Sequence, residues 1–318
     1  MLESMSIVSL IKGRRGASGF GYASTAEEVT AGLDLRGKTV LITGVNSGLG
    51  EESARVLALR GARVLGLART EDKARAACSA LGDQAVPFAC ELSDPASIQS
   101  CVAALKHWAQ PIDVLLCNAG VMALPKRELV HGQEKQFFTN HIGHFMLVTG
   151  LLEQLTEAGR VVMLSSVAHT RAPSAGIQLD DLSMRHNYTP NAAYGQSKLA
   201  NLLFARALAK RFAGTARTAN AVHPGVIFTN LARHMGSVVG ALGPMVVGLT
   251  MKNVYQGAAT QCFVATHPSL ATTSGEYFAD CNVARSSRHG RDVELAEALW
   301  IASEQIVAEV TGGEPAGG

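Results

Sequence analysis

A regular alternation of strand and helix segments is the feature of this sequence that most restricts its fold. Short runs rich in β-branched and apolar residues predict six strands separated by helical segments; the strands are predicted at residues 38–43, 63–68, 85–89, 112–117, 161–164 and 220–223. The runs at 112–117 and 161–164 are continuously apolar, as parallel strands buried on both faces require. The repeated strand–helix units indicate a doubly wound α/β sheet.

The remaining segments predict how the chain is organised around this sheet. A seventh strand is predicted at 276–279, and two long helices are predicted at 132–157 and 191–212. Residues 38–307 are predicted as one domain, preceded by an N-terminal arm over 1–37 with a short helix near 25–31. Residues 226–251 are apolar, glycine-rich and irregular, which predicts a lid over an apolar substrate pocket. The glycine-rich end, 308–318, is predicted as a flexible tail.

Composition excludes several classes of function. The chain has 318 residues, 47% of them hydrophobic, and a net charge of +2, which allows one large core and gives no electrostatic basis for binding nucleic acid. The six cysteines are scattered without a Cys-x-x-Cys pair, which favours reduced thiols in a cytoplasmic protein. No apolar run reaches the roughly 18 to 20 residues of a membrane span. The apolar run at 7–11 is followed, rather than preceded, by basic residues, so we predict no export signal.

A glycine-rich segment, Thr43-Gly-Val-Asn-Ser-Gly-Leu-Gly50, ends the first predicted strand and opens a helix. Glycines at such a turn let backbone N–H groups approach a pyrophosphate at the positive end of the helix. This predicts a Rossmann-type dinucleotide site, and its contacting residues are predicted to be Gly44, Asn46, Ser47, Gly48, Leu49 and Gly50. For the glycines taken alone, an ordinary strand–helix turn remains the alternative.

The end of the second strand bears on which dinucleotide binds. NAD sites place an acidic residue there to hold the ribose 2′-hydroxyl, whereas this chain has Ala68 followed by Arg69. Because an arginine can pair with a 2′-phosphate in a forked geometry, NADP(H) is predicted over NAD(H). A solvated surface arginine is the alternative. Small residues in Asn118-Ala-Gly120, after the fourth strand, would leave room for the riboses.

Tyr194 and Lys198 lie four residues apart on the second long helix and therefore share one face. An ammonium beside a phenol favours the ionised phenol and lowers a pKa that starts near 10. This pair predicts proton-transfer chemistry. A Tyr-x-x-x-Lys match arises readily by chance, so its meaning depends on the glycine segment that accompanies it.

Together these motifs resemble the short-chain dehydrogenase/reductase family over about residues 20–307. The glycine segment, Asn118-Ala-Gly120, Asn140, Ser165-Ser166, the Tyr194/Lys198 pair and Pro224-Gly225 occur in that family's order and spacing. The segments Thr139–Phe145, Ser165–His169 and Ser274–Phe278 are similar to the branch of retinol dehydrogenases and WW-domain oxidoreductases, although no WW domain is present. The family fold implied is a single doubly wound Rossmann domain with a mostly parallel seven-stranded sheet and helices on both faces.

The resemblance implies a role for each matched residue. Tyr194 would be the general acid/base, and Lys198 would stabilise its phenolate and hold the nicotinamide ribose. Ser166 would bind the substrate oxygen, with Ser165 as the competing candidate, and Asn140 would hold a water molecule. The other implied cofactor contacts lie after strand ends: Glu91, Leu92, Asn118, Ala119, Gly120, Pro224, Gly225, Val226 and Thr229. Glu91 stands where the family usually has Asp, and the insert at 168–190 is expected at the substrate mouth.

We therefore predict an NADP(H)-dependent oxidoreductase that interconverts a lipophilic alcohol and its ketone or aldehyde, such as a steroid, retinoid-like or aromatic carbonyl. The alternatives are a dinucleotide-binding scaffold protein and a reductase of a carbon–carbon double bond. The two long helices pack between subunits in many family members, which predicts a homodimer or homotetramer.

His141 and His144 lack a third ligand, so no metal is predicted and helix packing or a subunit contact is favoured. His169 and His186 are predicted as surface histidines near the mouth, where they could touch substrate.

Overall fold

A single twisted sheet brings the carboxyl ends of its parallel strands to one edge. The structure is a computed structural model that describes Gly13, residues 15–227 and residues 251–313. Within these residues the main sheet has eight strands in the order β10-β9-β8-β7-β4-β1-β2-β3, and a separate hairpin pairs β5 with β6. The bounds are β1 Thr39–Thr43, β2 Arg63–Ala68, β3 Ala85–Ala89, β4 Ile112–Cys117, β5 Leu129–Val130, β6 Gln133–Glu134, β7 Leu155–Leu164, β8 Thr218–His223, β9 Tyr277–Ala279 and β10 Asn282–Val283.

Helices flank this sheet on both faces. Their bounds are α1 Ala26–Val29, α2 Gly48–Leu59, α3 Glu71–Ser79, α4 Pro95–Trp108, α5 Lys135–Phe137, α6 Gly143–Gly150, α7 Pro190–Arg211, α8 Val254–Gly257, α9 Ala259–Thr266 and α10 Val293–Thr311. Along β1, Leu41 points into the core beneath α4, α6 and α7, and Ile42 points into the core beneath α2 and α9. The predicted doubly wound α/β sheet with helices on both faces is confirmed.

The sheet has one strand more than the seven predicted. β10 is a two-residue strand that pairs antiparallel with β9. The turn between them holds Asp280 and Cys281 at φ +50° and +62°. A strand of two residues is too short to carry a recognisable pattern of burial, so its absence from the prediction has a simple cause.

The predicted helix at 132–157 was wrong at both ends. The β5–β6 hairpin and α5 precede a π-helical turn, Phe138–Ile142, which continues directly into α6. After Gly150 the chain turns and enters β7 at Leu155, which pairs with Ile112. The register between β4 and β7 then shifts before Arg160 pairs with Val114. This irregular first half of β7 contains polar and exposed residues, which resemble the end of a helix in a sequence.

Part of the N-terminal arm packs as an integral piece of the domain. Thr25 and Glu28 form a capping box at the start of α1. Ala26 and Val29 of this helix are fully buried. The Phe20 ring lies 5.5 Å from that of Phe263 in α9. Residues 16–29 therefore cover the face of the sheet that carries α2 and α9.

The last helix, α10, covers α6 and α7. The Trp300 ring lies 4.9 Å from the Phe145 ring in α6 and 5.6 Å from the Phe204 ring in α7. Every residue from 136 to 148 and from 195 to 205 is buried within this one chain.

The predicted tail and the predicted lid both extend past the residues that the structure describes. Helix α10 continues to Thr311 and ends at Gly312 with φ +68°, so residues 308–311 belong to a helix and not to the predicted flexible tail. Residues 314–318 lie outside the described part of the chain. Of the predicted lid over 226–251, the described residues are Val226, Ile227 and Met251, and the rest lies outside.

Candidate active site

The glycine segment lies where the strand order reverses. The chain runs from β1 outward to β2 and β3, then crosses back to β4 on the other side of β1. Ligands bind at such a switch point, beyond the carboxyl ends of the strands. The loops that follow β1 and β4 contain Gly44–Gly50 and Asn118–Gly120, so the fold brings the two predicted cofactor segments together.

The glycines in these loops are required by close backbone contacts. A Cβ on Gly50 would lie 2.2 Å from the Gly44 carbonyl oxygen, and Gly44 itself has φ +75°. A Cβ on Gly120 would lie 2.9 Å from Asn140 Oδ1. Side chains are thereby excluded from the surface between β1, β4 and α2, which fits the cradle that a dinucleotide needs.

Helix α2 starts without a side-chain cap. Ser47 occupies the N-cap position but makes no capping hydrogen bond, whereas Thr70, Asp94 and Thr189 cap the helices α3, α4 and α7. The first N–H groups of α2, at Gly48 and Leu49, therefore stay free of a side-chain cap at the positive end of the helix dipole. This is the arrangement that binds a pyrophosphate, and Asn46 lies in the same turn.

Thr43 joins the two loops and is a site residue that the sequence reasoning did not single out. Its hydroxyl oxygen accepts hydrogen bonds from the backbone N–H groups of Asn118 and Ala119, each at 2.9 Å. The Asn118 amide nitrogen donates to the Thr43 carbonyl oxygen, also at 2.9 Å. These bonds fix the end of β4 against the end of β1.

The ends of β2 and β3 carry the residues predicted to select the cofactor. Ala68 is buried and Arg69 beside it is exposed, with its guanidinium on the surface. The Glu91 carboxylate is occupied within its own turn, where it accepts from the Ser93 backbone at 3.1 Å and from the Ser93 hydroxyl at 2.8 Å. Leu92 is buried, and its carbonyl oxygen packs directly against Gly143 at the start of α6.

Tyr194, Ser166 and Lys198 converge beyond the end of β7. The Ser166 hydroxyl accepts from the Ala168 backbone at 3.1 Å, and Ser166 lies close enough to Tyr194 to lower the pKa of its phenol. Lys198 Nζ lies 5.7 Å from the centre of the Tyr194 ring and donates to the Leu164 carbonyl oxygen at 2.8 Å. The Ser165 hydroxyl instead donates to the Lys198 carbonyl oxygen at 2.7 Å. Of the two serines, Ser166 is therefore the one that the fold places beside the phenol.

The expected effect of Lys198 on the Tyr194 pKa was wrong for the protein alone. Burial raises the pKa of Tyr194 to about 12, and the hydrogen bond with Ser166 acts in the opposite direction. Burial also lowers the pKa of Lys198 to about 7. The helical spacing correctly placed the two side chains on one face, but the ammonium is directed toward the backbone of β7. Tyr194 is thus a neutral phenol at neutral pH and can give up a proton.

Asn140 lies in the π-helical turn and is fully buried. Its amide holds both polar groups of Val121: Oδ1 accepts from the Val121 N–H at 2.7 Å, and Nδ2 donates to the Val121 carbonyl at 2.9 Å. Nδ2 also donates to the Ser197 hydroxyl at 2.9 Å, next to Lys198. The wider turn of a π-helix, common at functional sites, aims this amide between the β4 loop and α7.

The predicted contacts after β8 are described as far as Ile227. Pro224 is buried, Gly225 has φ +96°, and Val226 is 54% exposed. A Cβ on Gly225 would lie 2.6 Å from Lys252 Cδ, so the fully buried Lys252 side chain packs beneath this loop. Thr229, the last predicted cofactor contact, lies outside the described residues.

The insert at 168–190 contains both buried and exposed residues, and His169 within it was wrongly predicted to lie at the surface. His169 is 2% exposed; its Nδ1 donates to the Ser166 carbonyl at 2.6 Å and its Nε2 accepts from the Ser287 N–H at 2.9 Å. The Tyr188 hydroxyl donates to the Leu124 carbonyl at 2.6 Å. The insert is therefore attached both to the loop that carries Ser166 and to the loop that follows Gly120. His186 is exposed, as predicted.

His141, one of the two histidines considered as a metal ligand, is bonded within the protein itself. His141 Nε2 bonds the Ser303 hydroxyl of α10 at 2.8 Å. No group of three His, Cys, Asp or Glu side chains able to hold a metal occurs in the described ranges. All six cysteines are free and buried, and burial raises the pKa of Cys117, so it is not an activated nucleophile.

Comparison with known proteins decides the family. A family model for short chain dehydrogenases matches residues 38–178. The chloroplastic short-chain dehydrogenase TIC 32 A of Brassica napus is 42% identical over an alignment of 318 positions that covers 95% of this chain and 99% of that protein. Retinol dehydrogenase 12 of Homo sapiens is 38% identical over 86% of this chain and 88% of its own length. The chain belongs to the short-chain dehydrogenase/reductase family.

Solved structures agree with this assignment. An uncharacterized protein from Mycobacterium Paratuberculosis superposes with a TM-score of 0.71 at 34% identity, covering 88% of this chain and 96% of its own. A blue fluorescent protein from a metagenomic library, solved in complex with NADPH, has a TM-score of 0.62 at 25% identity, covering 77% and 96%. The protein is thus an NAD(P)-dependent oxidoreductase of the CH–OH/C=O class, in the branch of the family that resembles retinol dehydrogenases.

Across the helices of residues 15–227 and 251–313, none combines the length and the apolar character that a bilayer crossing needs.

Proposed function

We propose that this short-chain dehydrogenase/reductase uses NADP(H) to interconvert a lipophilic alcohol and its ketone or aldehyde, with Tyr194 as the general acid/base. The observation that carries the proposal is the convergence of Ser166, Tyr194 and Lys198 beside the glycine-lined loops at the switch point. Each of the three side chains is held by a bond within the chain or by burial, so the geometry exists before any ligand binds.

The chain's own residues divide the work of proton transfer. The substrate oxygen would be held between the hydroxyl groups of Ser166 and Tyr194. Tyr194, whose pKa burial raises to about 12, would donate its proton to this oxygen during reduction and take it back during oxidation. Lys198 lies within reach to compensate the phenolate that forms, while the bound nicotinamide would supply or accept the hydride. Asn140 fixes the Val121 loop and Ser197 on either side of this arrangement.

The first test is to follow nicotinamide absorbance with NADPH and with NADH against a panel of hydrophobic ketones and aldehydes. Turnover of these substrates supports the proposal, and product analysis distinguishes carbonyl reduction from reduction of a carbon–carbon double bond. Tight cofactor binding without turnover of any substrate would instead favour a dinucleotide-binding scaffold.

Cofactor preference is expected to depend on Arg69. Its exposed guanidinium follows β2, where Ala68 stands in the place of the carboxylate of NAD sites. Replacing Arg69→Ser should raise KM for NADPH by about 10- to 100-fold, because charge-assisted hydrogen bonds to the 2′-phosphate are lost, and should change KM for NADH little. Arg75→Gln is the matched control, since Arg75 is an exposed arginine paired with Glu71. An equal loss with both cofactors, or a wild-type preference for NADH, would contradict the NADP(H) proposal.

A lipophilic substrate is supported by three features. The segment 226–251 is apolar in sequence, although most of it lies outside the described residues. Val167, directly after Ser166, is 45% exposed, and Val226 is 54% exposed. The name of retinol dehydrogenase 12 points to an apolar alcohol as the substrate of that relative. If small polar ketones turned over far faster than hydrophobic ones, this part of the proposal would fall.

The oligomeric state is still a prediction. The predicted homodimer or homotetramer depended on α6 and α7 offering a face to another subunit, but residues 136–148 and 195–205 are buried within this one chain, and Trp300 of α10 packs against Phe145 and Phe204. We therefore expect light scattering to give the mass of one chain, 33.4 kDa. A species of twice that mass would show that another face associates.

The cellular location is still a prediction. The cytoplasm was expected from the reduced cysteines, whereas the TIC 32 relatives carry a chloroplast designation.

A further inference from the structure

His144 is fully buried in the first turn of α6 and makes a hydrogen bond with each ring nitrogen. Its Nδ1 lies 2.9 Å from the Asn140 carbonyl oxygen, and its Nε2 lies 2.9 Å from the Thr43 hydroxyl oxygen. The first partner belongs to the π-helical turn of the catalytic side. The second belongs to the end of β1, directly before the glycine segment.

The partners determine which nitrogen carries the proton. A carbonyl oxygen can only accept, so Nδ1 must be the donor toward Asn140. The Thr43 hydroxyl already accepts from the N–H groups of Asn118 and Ala119, and its own hydrogen is therefore free to be donated to Nε2. The arrangement requires the neutral Nδ1–H tautomer. Burial lowers the pKa of His144 to about 4, with Lys198 acting in the same direction, which agrees with a neutral ring.

These bonds make a continuous path between the two halves of the site. From the glycine segment it runs through Thr43 to His144, then to Asn140, and from the Asn140 amide to Val121 and to Ser197 beside Lys198. Every side chain of this path is buried. Both ring nitrogens of His144 are thus matched to polar partners, one in the π-helical turn and one at the end of β1.

We propose that His144 is a positioning residue that holds the Asn140 turn and the end of β1 in fixed register, so that the cofactor cradle and the catalytic helix α7 are aligned. It touches neither substrate nor cofactor in this role. The kinetic part of the inference rests on the proposed function, whereas the binding and spectroscopic parts do not.

Two substitutions separate the two bonds. His144→Gln places a polar group near the position of Nε2 and can keep the contact with Thr43, whereas His144→Asn places one near Nδ1 and can keep the contact with Asn140. We expect His144→Gln to lower kcat by about five- to thirtyfold with little change in the Kd for NADPH. His144→Asn should mainly weaken NADPH binding, by a similar factor. Ser303→Ala is the control, because it removes the partner of the neighbouring buried His141 without touching Thr43 or Asn140.

A measurement on the free protein tests the geometry without turnover. The ¹⁵N NMR shifts of the His144 ring should report the Nδ1–H tautomer at pH 7, assigned by loss of the signal in His144→Gln. An Nε2–H tautomer or a charged ring would overturn the inference. So would variants that lower the melting temperature as Ser303→Ala does while leaving kcat and Kd unchanged. Absence of turnover in the wild-type protein would remove the proposed function, and the NADPH Kd and the NMR tautomer would still decide the role of His144.

Discussion

Replacing Tyr194→Phe should lower kcat by about 100- to 10,000-fold, because it removes the proton donor and keeps the ring. This corresponds to about 3 to 5 kcal/mol of transition-state stabilisation. Binding of NADPH should persist, since the glycine cradle and the uncapped start of α2 do not involve the phenol. The measurement is a comparison of kcat and of the Kd for NADPH between the variant and the wild type.

Tyr188→Phe is the matched control for this experiment. Tyr188 lies six residues before Tyr194, and burial likewise raises its pKa to about 12, but its hydroxyl donates to the Leu124 carbonyl. Loss of the Tyr188 hydroxyl should reduce the stability of the insert, and it should lower kcat far less than Tyr194→Phe does. If the two variants retained similar activity, Tyr194 would not be the acid/base, and a different donor would have to be sought around Ser166.

Acidification from pH 7 to pH 5 should reduce the free energy of unfolding by about 4 kcal/mol through two buried histidines. Burial lowers the pKa of His141 to about 3 and that of His144 to about 4. Between these values and about 6.5 the unfolded chain binds protons that the folded chain does not, so stability falls as the pH falls. Each histidine contributes about 2 kcal/mol over this interval, and below about pH 3 neither adds more. Protonation of His141 would add a hydrogen at Nδ1, which is buried without a hydrogen-bond partner in the described residues.

Urea unfolding at pH 7, 6 and 5 would measure this loss. His141→Gln should keep a donor toward Ser303 and remove one titrating group, which should decrease the loss between pH 7 and pH 5 by about 2 kcal/mol. An unchanged pH dependence in this variant would mean that other titrating groups, rather than His141, govern acid unfolding. The pH 7 stability of the variant reports separately on the cost of the substitution.

Local sequence patterns predicted the sheet well because β1, β2, β4 and β8 are buried along almost their whole length. The same reasoning failed where structure depends on distant partners. Leu155 begins β7 because it pairs with Ile112, across a register shift that no local pattern reveals. The π-helical turn at Asn140 is equally invisible, since it differs from an α-helical turn in the spacing of its backbone hydrogen bonds.

In the active site, the sequence spacing predicted which side chains lie on the same helix face. It did not predict which partners their charged groups bond. Tyr194 and Lys198 share a helix face as expected, yet the ammonium bonds the backbone of Leu164, 34 residues earlier. His144 was interpreted as a packing residue because its partner Thr43 lies 101 residues away in the sequence. The family resemblance supplied the roles of these residues. The polar contacts between distant segments could be identified only from the three-dimensional structure.

Because α10 belongs to the same chain as α6 and α7, its packing against these helices does not depend on protein concentration. In an enzyme whose α6 and α7 are covered by a second subunit, lowering the protein concentration uncovers them by mass action. Here the covering helix belongs to the same chain, and its effective concentration at that surface is set by the fold alone. The layer around His141, Phe145 and Phe204 therefore stays closed however scarce the protein is. Its specific activity at trace amounts should equal that of a concentrated stock.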